Sequence, residues 1–352
     1  MNRWLAGSLL VLPLIQFSHA EEAKPLKPGE AVDYGKMAFY PERWKKQKAA
    51  GKLYPWQGKE VVLLTTKDDL DGEVMARFVG RLDGGWKLYA DLVGKPPRPF
   101  KLVAGKPSIA AVPDASLTCG IGCGYIGATG IEVGGFHASD YPLVKKSLKA
   151  FPHYYFYEMG RNYYVFGDRH SLFTTGLAVF MRYVCMDALK CDDPDAATRR
   201  VIERAEQGHA DSKMPFLKAF TTLDGLGEKD PRLVGKDGKP IHPSDQPVLY
   251  AAAMLKLRKD QGGDAWVKRF FAALHRCPEV KPDTKEKALR QSLNWLVSAS
   301  IAAKKDLAPV FCDRWRMPLP DAARKALKAV DWAKADLDPA EVIKSLPAEP
   351  AK

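Results

Sequence analysis

Apolar and aromatic residues are densest between Phe151 and Met186, FPHYYFYEMGRNYYVFGDRHSLFTTGLAVFMRYVCM. Two such arms on either side of Gly167-Asp168 predict a pair of buried helices at the centre of a core. Pro152 suits the first turn of the first helix, where its missing N–H is not needed. Upstream, Val61–Thr66 (VVLLTT) is a β-branched run that predicts a short strand. Asp68, Asp69 and Asp71 then predict a helix start, with Val74, Phe78 and Val79 on one face as far as Leu82. Asp83-Gly84-Gly85 predicts a break before a second helix, Trp86–Val93. Ser108–Val112 reads as a strand. Gly120–Gly135 is glycine-rich, and its Tyr125–Val133 run predicts a strand along the edge of a cleft.

Downstream of Cys185 the period is helical. Helices are predicted from Asp195 to Glu206, from Ser212 to Phe220 and from Pro247 to Leu257. Another follows Asp264, with Trp266, Val267, Phe270, Phe271 and Leu274 as its buried stripe. Asp283 and Glu286 have the spacing of a capping box for a long helix carrying Leu289, Leu293, Leu296 and Val297. Asp321 opens a last amphipathic helix. Residues 226–246 are charged, with Gly235, Gly238 and Pro240, and read as a hairpin or an exposed loop. Residues 21–58, rich in Lys, Pro and Glu, read as an extended leader anchored by aromatics. Residues 333–352 read as a tail. The resulting expectation is an α+β chain: an α/β part over 59–190 and a helical lobe over 191–332. No regular βαβ series supports a doubly wound or barrel fold.

Residues 1–20 change the picture. Arg3, the apolar run Leu5–Ile15 and the small-x-small end Ser18-His19-Ala20 predict a secretory signal peptide. The expected location is therefore secreted or periplasmic, with no integral membrane segment after cleavage. The full chain of 352 residues carries a formal charge of +12. Its lysines are scattered among acids, so a generally basic surface is expected and a sequence-specific nucleic-acid reader is not. Six cysteines suit an oxidising compartment. Their spacings suggest the pairs Cys119–Cys123, Cys185–Cys191 and Cys277–Cys312, among the fifteen connectivities six cysteines allow. A thiol zinc cluster lacks a second tight pair, and no cofactor motif is present.

The first buried arm contains Tyr157-Glu158-Met159-Gly160-Arg161. A His-Glu-x-x-His zinc helix would place two histidines where Tyr157 and Arg161 stand. Later come Thr175-Gly176-Leu177-Ala178, and Asp306-Leu307-Ala308-Pro309-Val310-Phe311 with Trp315 and Pro318. Ahead of the helix lie Cys119-Gly120-Ile121-Gly122-Cys123-Gly124-Tyr125-Ile126-Gly127 and Thr129-Gly130-Ile131-Glu132. In this order the motifs resemble the gluzincin metallopeptidases, the enhancin-like and basic secretory protein families in particular, over roughly residues 60–320. The resemblance implies a zincin-like domain. It also implies a Glu-Gly-x-Ala helix whose Glu is the third zinc ligand, and Thr175 takes that place here. All three zinc ligands are thus replaced, and no metal is expected at these positions.

The expected function is a peptidase-like protein without zinc catalysis, holding an extended peptide or an anionic glycan. Tyr157, Arg161, Thr175, Tyr125 and Glu132 would line or support the old cleft. Arg161 cannot ligate zinc and is expected to pair with Glu158. The alternative is a hydrolase in which Glu158 works with His153, Asp168 or His170, with or without a displaced metal. An exposed second carboxylate or imidazole beside Glu158 would favour catalysis, whereas an enclosed Glu158 would favour a structural or binding role.

Overall fold

The computed structural model describes residues 29–49, 51–170, 174–212, 214–221 and 246–347. Residues 1–20 lie outside this set, as does most of the 226–246 loop. The described chain is a mixed α+β structure, with strands and helices up to residue 146 and a largely helical part from 174 to 345. Its strands are β1 (Val32–Asp33), β2 (Lys52–Gln57), β3 (Val62–Thr65), β4 (Leu102–Val103), β5 (Lys106–Ala111), β6 (Gly122–Gly124) and β7 (Ile131–Val133). They form one sheet in the order β1-β2-β3-β5-β7-β6, with β4 paired to β5. β3, β5 and β7 are parallel, whereas β6 runs antiparallel to β7 at the edge.

Alternation of side chains across the pleat gives each face its own core. Leu63, Ile109, Ala111, Ile131 and Val133 point to the helical side. Val62, Leu64, Ala110 and Val112 point to the other, where Tyr34, Trp44 and Leu53 cover them. The expected leader is therefore integral from residue 32 onward. It supplies β1, β2 and the helix α1 (Pro41–Lys46), with Trp44 buried. Pro55 and its low periodicity hid the strand, whose pairing with β3 is set by tertiary contact.

Helix α2 (Gly72–Val93) is continuous through Asp83-Gly84-Gly85, where a break was expected. Asp71 caps it by accepting from the N–H groups of Glu73 and Val74. The glycines serve close approach. A Cβ on Gly85 would lie 2.5 Å from Phe156, and one on Gly84 2.8 Å from Leu189. Asp83 faces out of the helix and accepts from the backbone N–H groups of Lys59, Glu60 and Val61. Helix α3 (Tyr141–Lys146) leads to the central pair, α4 (Tyr154–Asn162) and α5 (Thr174–Ala188). Their crossing uses small residues: a Cβ on Gly160 would meet the Ala178 Cα at 2.7 Å.

The helical part comprises α6 (Ala196–Asp211), α7 (Phe216–Phe220), α8 (Gln246–Asp260), α9 (Gly263–Leu274), α10 (Lys285–Ala303), α11 (Asp321–Lys328) and α12 (Pro339–Ser345). The last lies in the expected tail and buries Pro339 and Val342. The cap of α10 is Thr284 rather than Asp283, which instead pairs with Lys287. Buried amides on α10 hold the chain entering this part. Gln291 donates to the carbonyls of Asp168 and Val280, and Asn294 to those of Arg169 and Pro278.

Cys119 and Cys123 form a disulfide. Cys185, Cys191, Cys277 and Cys312 are thiols, which corrects the other two expected pairs. Their surroundings explain it: Cys185 is sealed in α5, Cys191 turns to the Leu189 carbonyl, and the Cys277 sulfur lies 3.3 Å from Ser298 Oγ on α10. No helix among the described residues is long and apolar enough to cross a membrane.

Candidate functional site around Glu158

Helix α4 presents Glu158, Arg161 and Asn162 to the edge of the sheet, and β6 lies directly on them. The expected edge strand, Tyr125–Val133, is corrected in this respect. Residues 125–130 form a turn, with Gly127 and Gly130 at φ values of 69° and 123°, and the edge strand is Gly122–Gly124. An unbroken strand cannot pass through two left-handed residues. Gly122 and Gly124 point towards α4. A Cβ on Gly122 would lie 2.7 Å from Glu158 Oε1, and one on Gly124 2.6 Å from the Glu158 carbonyl oxygen. The period-two spacing of Gly120, Gly122 and Gly124 was the available signal for such a close approach.

Glu158 is enclosed, with 4% of its surface exposed. Arg161 Nε lies 3.8 Å from Glu158 Oε2 and donates to the Gly124 carbonyl at 3.3 Å. Asn162 donates to the carbonyls of Tyr125 and Gly130, and Gly127 N–H donates to the carbonyl of Arg161. Hydrogen bonds from Arg161 and Asn162, at the C-terminal end of α4, thus clamp β6 and its following turn to the helix. Asn162 belongs to no motif in the sequence, and only the fold brings it against the turn. Glu158 Oε2 has no hydrogen-bond donor among the described residues. Burial pushes Glu158 up to about 7, against the opposing pull of Arg161 and the Gly124 N–H.

Among the described residues, none of the other expected site residues except Arg161 forms a hydrogen bond or ion pair with Glu158. His153 pairs with Asp193, Nδ1 to Oδ1 at 2.9 Å. His170 is buried against Tyr250, whose hydroxyl is 3.0 Å from Nε2, and burial pushes it down to about 3. Asp168 is exposed, and its carbonyl is used by Gln291 and the Val280 N–H. Tyr157 and Thr175 are half-buried, on α4 and in the first turn of α5. Among the described residues no group of three or more His, Cys, Asp or Glu side chains could hold a metal ion.

Tyr125 and Glu132 serve the opposite sheet face. Tyr125 stacks on Phe39 at 3.7 Å. Glu132 is fully buried and accepts from the Tyr34 hydroxyl at 3.1 Å and the Phe39 N–H at 2.7 Å, tying the N-terminal segment down. Burial raises its carboxyl despite those donors. A third buried carboxylate, Asp140, accepts from Tyr154, Tyr155 and Ser139, and burial raises it too.

Chemically, Glu158 can hold a proton near neutral pH. A carboxyl tuned to about 7 suits general acid–base work, but among the described residues no imidazole or second carboxylate is bonded to Glu158 to complete such a pair. Comparison with family models, with curated proteins and with solved structures finds no match to this chain.

Proposed function

We propose that this chain is a gluzincin-like protein that acts outside the cytoplasm as a non-catalytic binder of an extended peptide or an anionic glycan. The observation that carries this reading is the enclosure of Glu158. The side chain that would activate water in a zinc peptidase is covered by Gly122 and Gly124 and faces Arg161. Supporting the likeness, β6 is an edge strand antiparallel to its neighbour and lies over the helix bearing the Glu. Tyr157, Arg161 and Thr175 cannot recreate two His and one Glu ligand, so the carboxylate would lack its Lewis acid. The export assignment rests on the sequence of residues 1–20.

A second reading keeps some support, because a carboxyl held near neutrality is what an acid–base catalyst needs. In that reading Glu158 would reach a substrate only after β6 lifted from α4. One experiment separates the two. Protein purified without chelator is assayed for bound zinc, for hydrolysis of a peptide library and for retention on peptide and acidic-glycan arrays. Binding without turnover, unchanged in Glu158→Gln, is expected. Stoichiometric zinc lost together with peptidase activity, or turnover abolished by Glu158→Gln in a folded protein, would reverse the assignment.

A further inference from the structure

Large apolar side chains exposed on this surface are few, and they are not scattered. Among the described residues they are Tyr40, Phe100, Leu102, Ile121, Ile126 and Leu148. All but Leu148 belong to three segments fastened to one another. Arg98 N–H donates to the Gly127 carbonyl, Thr129 N–H to the Arg98 carbonyl and Phe100 N–H to Thr129 Oγ1, each within 2.9 Å. Tyr125 bridges the rest, stacked on Phe39 and edge-on to Phe100 with ring centres 4.8 Å apart. Ile121 and Ile126 flank the two ends of β6, at 69% and 55% exposure. Ile121 has glycine on both sides and Ile126 has one after it. Exposed isoleucines in glycine turns contribute nothing to the core, and such clustering marks an interaction surface.

Along the segments carrying Phe100, Leu102, Ile121 and Ile126 the charge is positive, whereas Glu42 near Tyr40 is exposed and paired with Lys45. Residues 92–113 and 115–131 contain no Asp or Glu, whereas Lys95, Arg98, Lys101 and Lys106 lie in the first stretch. The Arg98 guanidinium and the Lys101 ammonium sit 5.6 and 4.7 Å from the Phe100 ring centre. Neither forms a salt bridge among the described residues, and the acid that acts on Lys101, Glu132, is buried in the sheet. Lys101 is also held in place: its stem lies where a Cβ on Gly130 would be, 2.7 Å away. Unpaired cations beside projecting Ile and Phe side chains match a bilayer interface, where apolar tips enter the acyl boundary and cations meet lipid phosphates. Three of the projecting tips, Leu102, Ile121 and Ile126, are aliphatic, and with Phe100 they suit insertion at an acyl boundary.

We propose that the turns at both ends of β6, with the Arg98–Leu102 segment, dock this protein peripherally on an anionic phospholipid surface. The docking is independent of what the cleft binds. It is tested by cosedimentation of the mature chain with vesicles of phosphatidylcholine alone or with about a third phosphatidylglycerol. The wild type is expected to bind only the anionic vesicles and to be released as salt rises. Arg98→Gln with Lys101→Gln should weaken partitioning roughly 30-fold, from two lost surface cations. Ile121→Ser with Ile126→Ser should weaken it roughly tenfold or more through lost apolar burial. Variants are compared at unchanged melting temperature, and Arg98→Gln alone, at an exposed side chain, should still cost about fivefold. Failure to bind anionic vesicles, or equal binding by these folded variants, overturns the proposal. So does capture of an acidic polysaccharide or acidic peptide by the same surface without vesicle binding.

Discussion

Two carboxylates are buried to the same depth in this molecule and are treated very differently. Glu206 on α6, 3% exposed, receives Arg314 through Nε at 2.6 Å and a second guanidinium nitrogen at 2.8 Å, and Trp315 Nε1 at 2.6 Å. Glu158 on α4 has its arginine 3.8 Å away and one oxygen with no donor. The helical part thus contains a satisfied ion pair, with donors arriving from a π-helical turn, Pro309–Arg314, and the residue after it. At the sheet edge a carboxyl is buried with its acceptor capacity half used. Full pairing offsets the desolvation of a buried charge and keeps it ionised, whereas burial without it favours the protonated form. The contrast separates a residue placed for stability from one whose surroundings have closed over it.

The largest expected effect is on the satisfied side. Glu206→Ala should cost about 3 kcal/mol in urea unfolding at neutral pH, because it leaves buried Trp315 Nε1 without an acceptor and Arg314 with Gln207 alone. A loss below about 1 kcal/mol would show that the pair is no better than a surface bridge. On the other side the sign reverses. The folded Glu158 carboxyl titrates at about 7 against 4.5 for the free group. The stability from its protonated form is therefore complete below about pH 4.5 and is lost as pH rises through about 7. Glu158→Gln, which cannot ionise, should match the wild type at pH 4.5. At pH 8 it should be more stable by up to about 3 kcal/mol, from 1.36 kcal/mol per pKa unit. A variant weaker than the wild type at both pH values would mean that the ionised pair itself holds the strand. The smallest effect concerns the helix crossing that positions Glu158. Gly160→Ala should cost about 1–3 kcal/mol in thermal unfolding, since its Cβ meets the Ala178 backbone. A neutral or stabilising result would show that α4 and α5 can part freely.

Where local chemistry decides the outcome, the chain could be read directly. VVLLTT gives β3, Asp71 caps α2 and the Leu289–Val297 stripe lies in α10. Asp83-Gly84-Gly85 misled because the same glycines that break an isolated helix allow Phe156 and Leu189 to pack against one in a fold. The cysteines misled because separation along the chain does not set the direction of a thiol, and three of the four unpaired ones are held in buried packing. The absence of a His-Glu-x-x-His pair around Glu158 was visible at Tyr157 and Arg161. The scatter of His153, Asp168 and His170 was not, since each is drawn away by a partner distant in sequence: Asp193, Gln291 and Tyr250.

The central claim is that β6 seals Glu158 from water, and the carboxyl's own titration reads it most directly. In protein labelled with carboxyl-¹³C glutamate, the Glu158 signal is assigned by its loss in Glu158→Gln and followed against pH. The account predicts a midpoint near 7, and a still higher one in Arg161→Gln, where the opposing positive charge is gone. A midpoint at the ordinary 4.5 of a free glutamate, unmoved by Arg161→Gln, would mean an open, hydrated carboxylate and would contradict it.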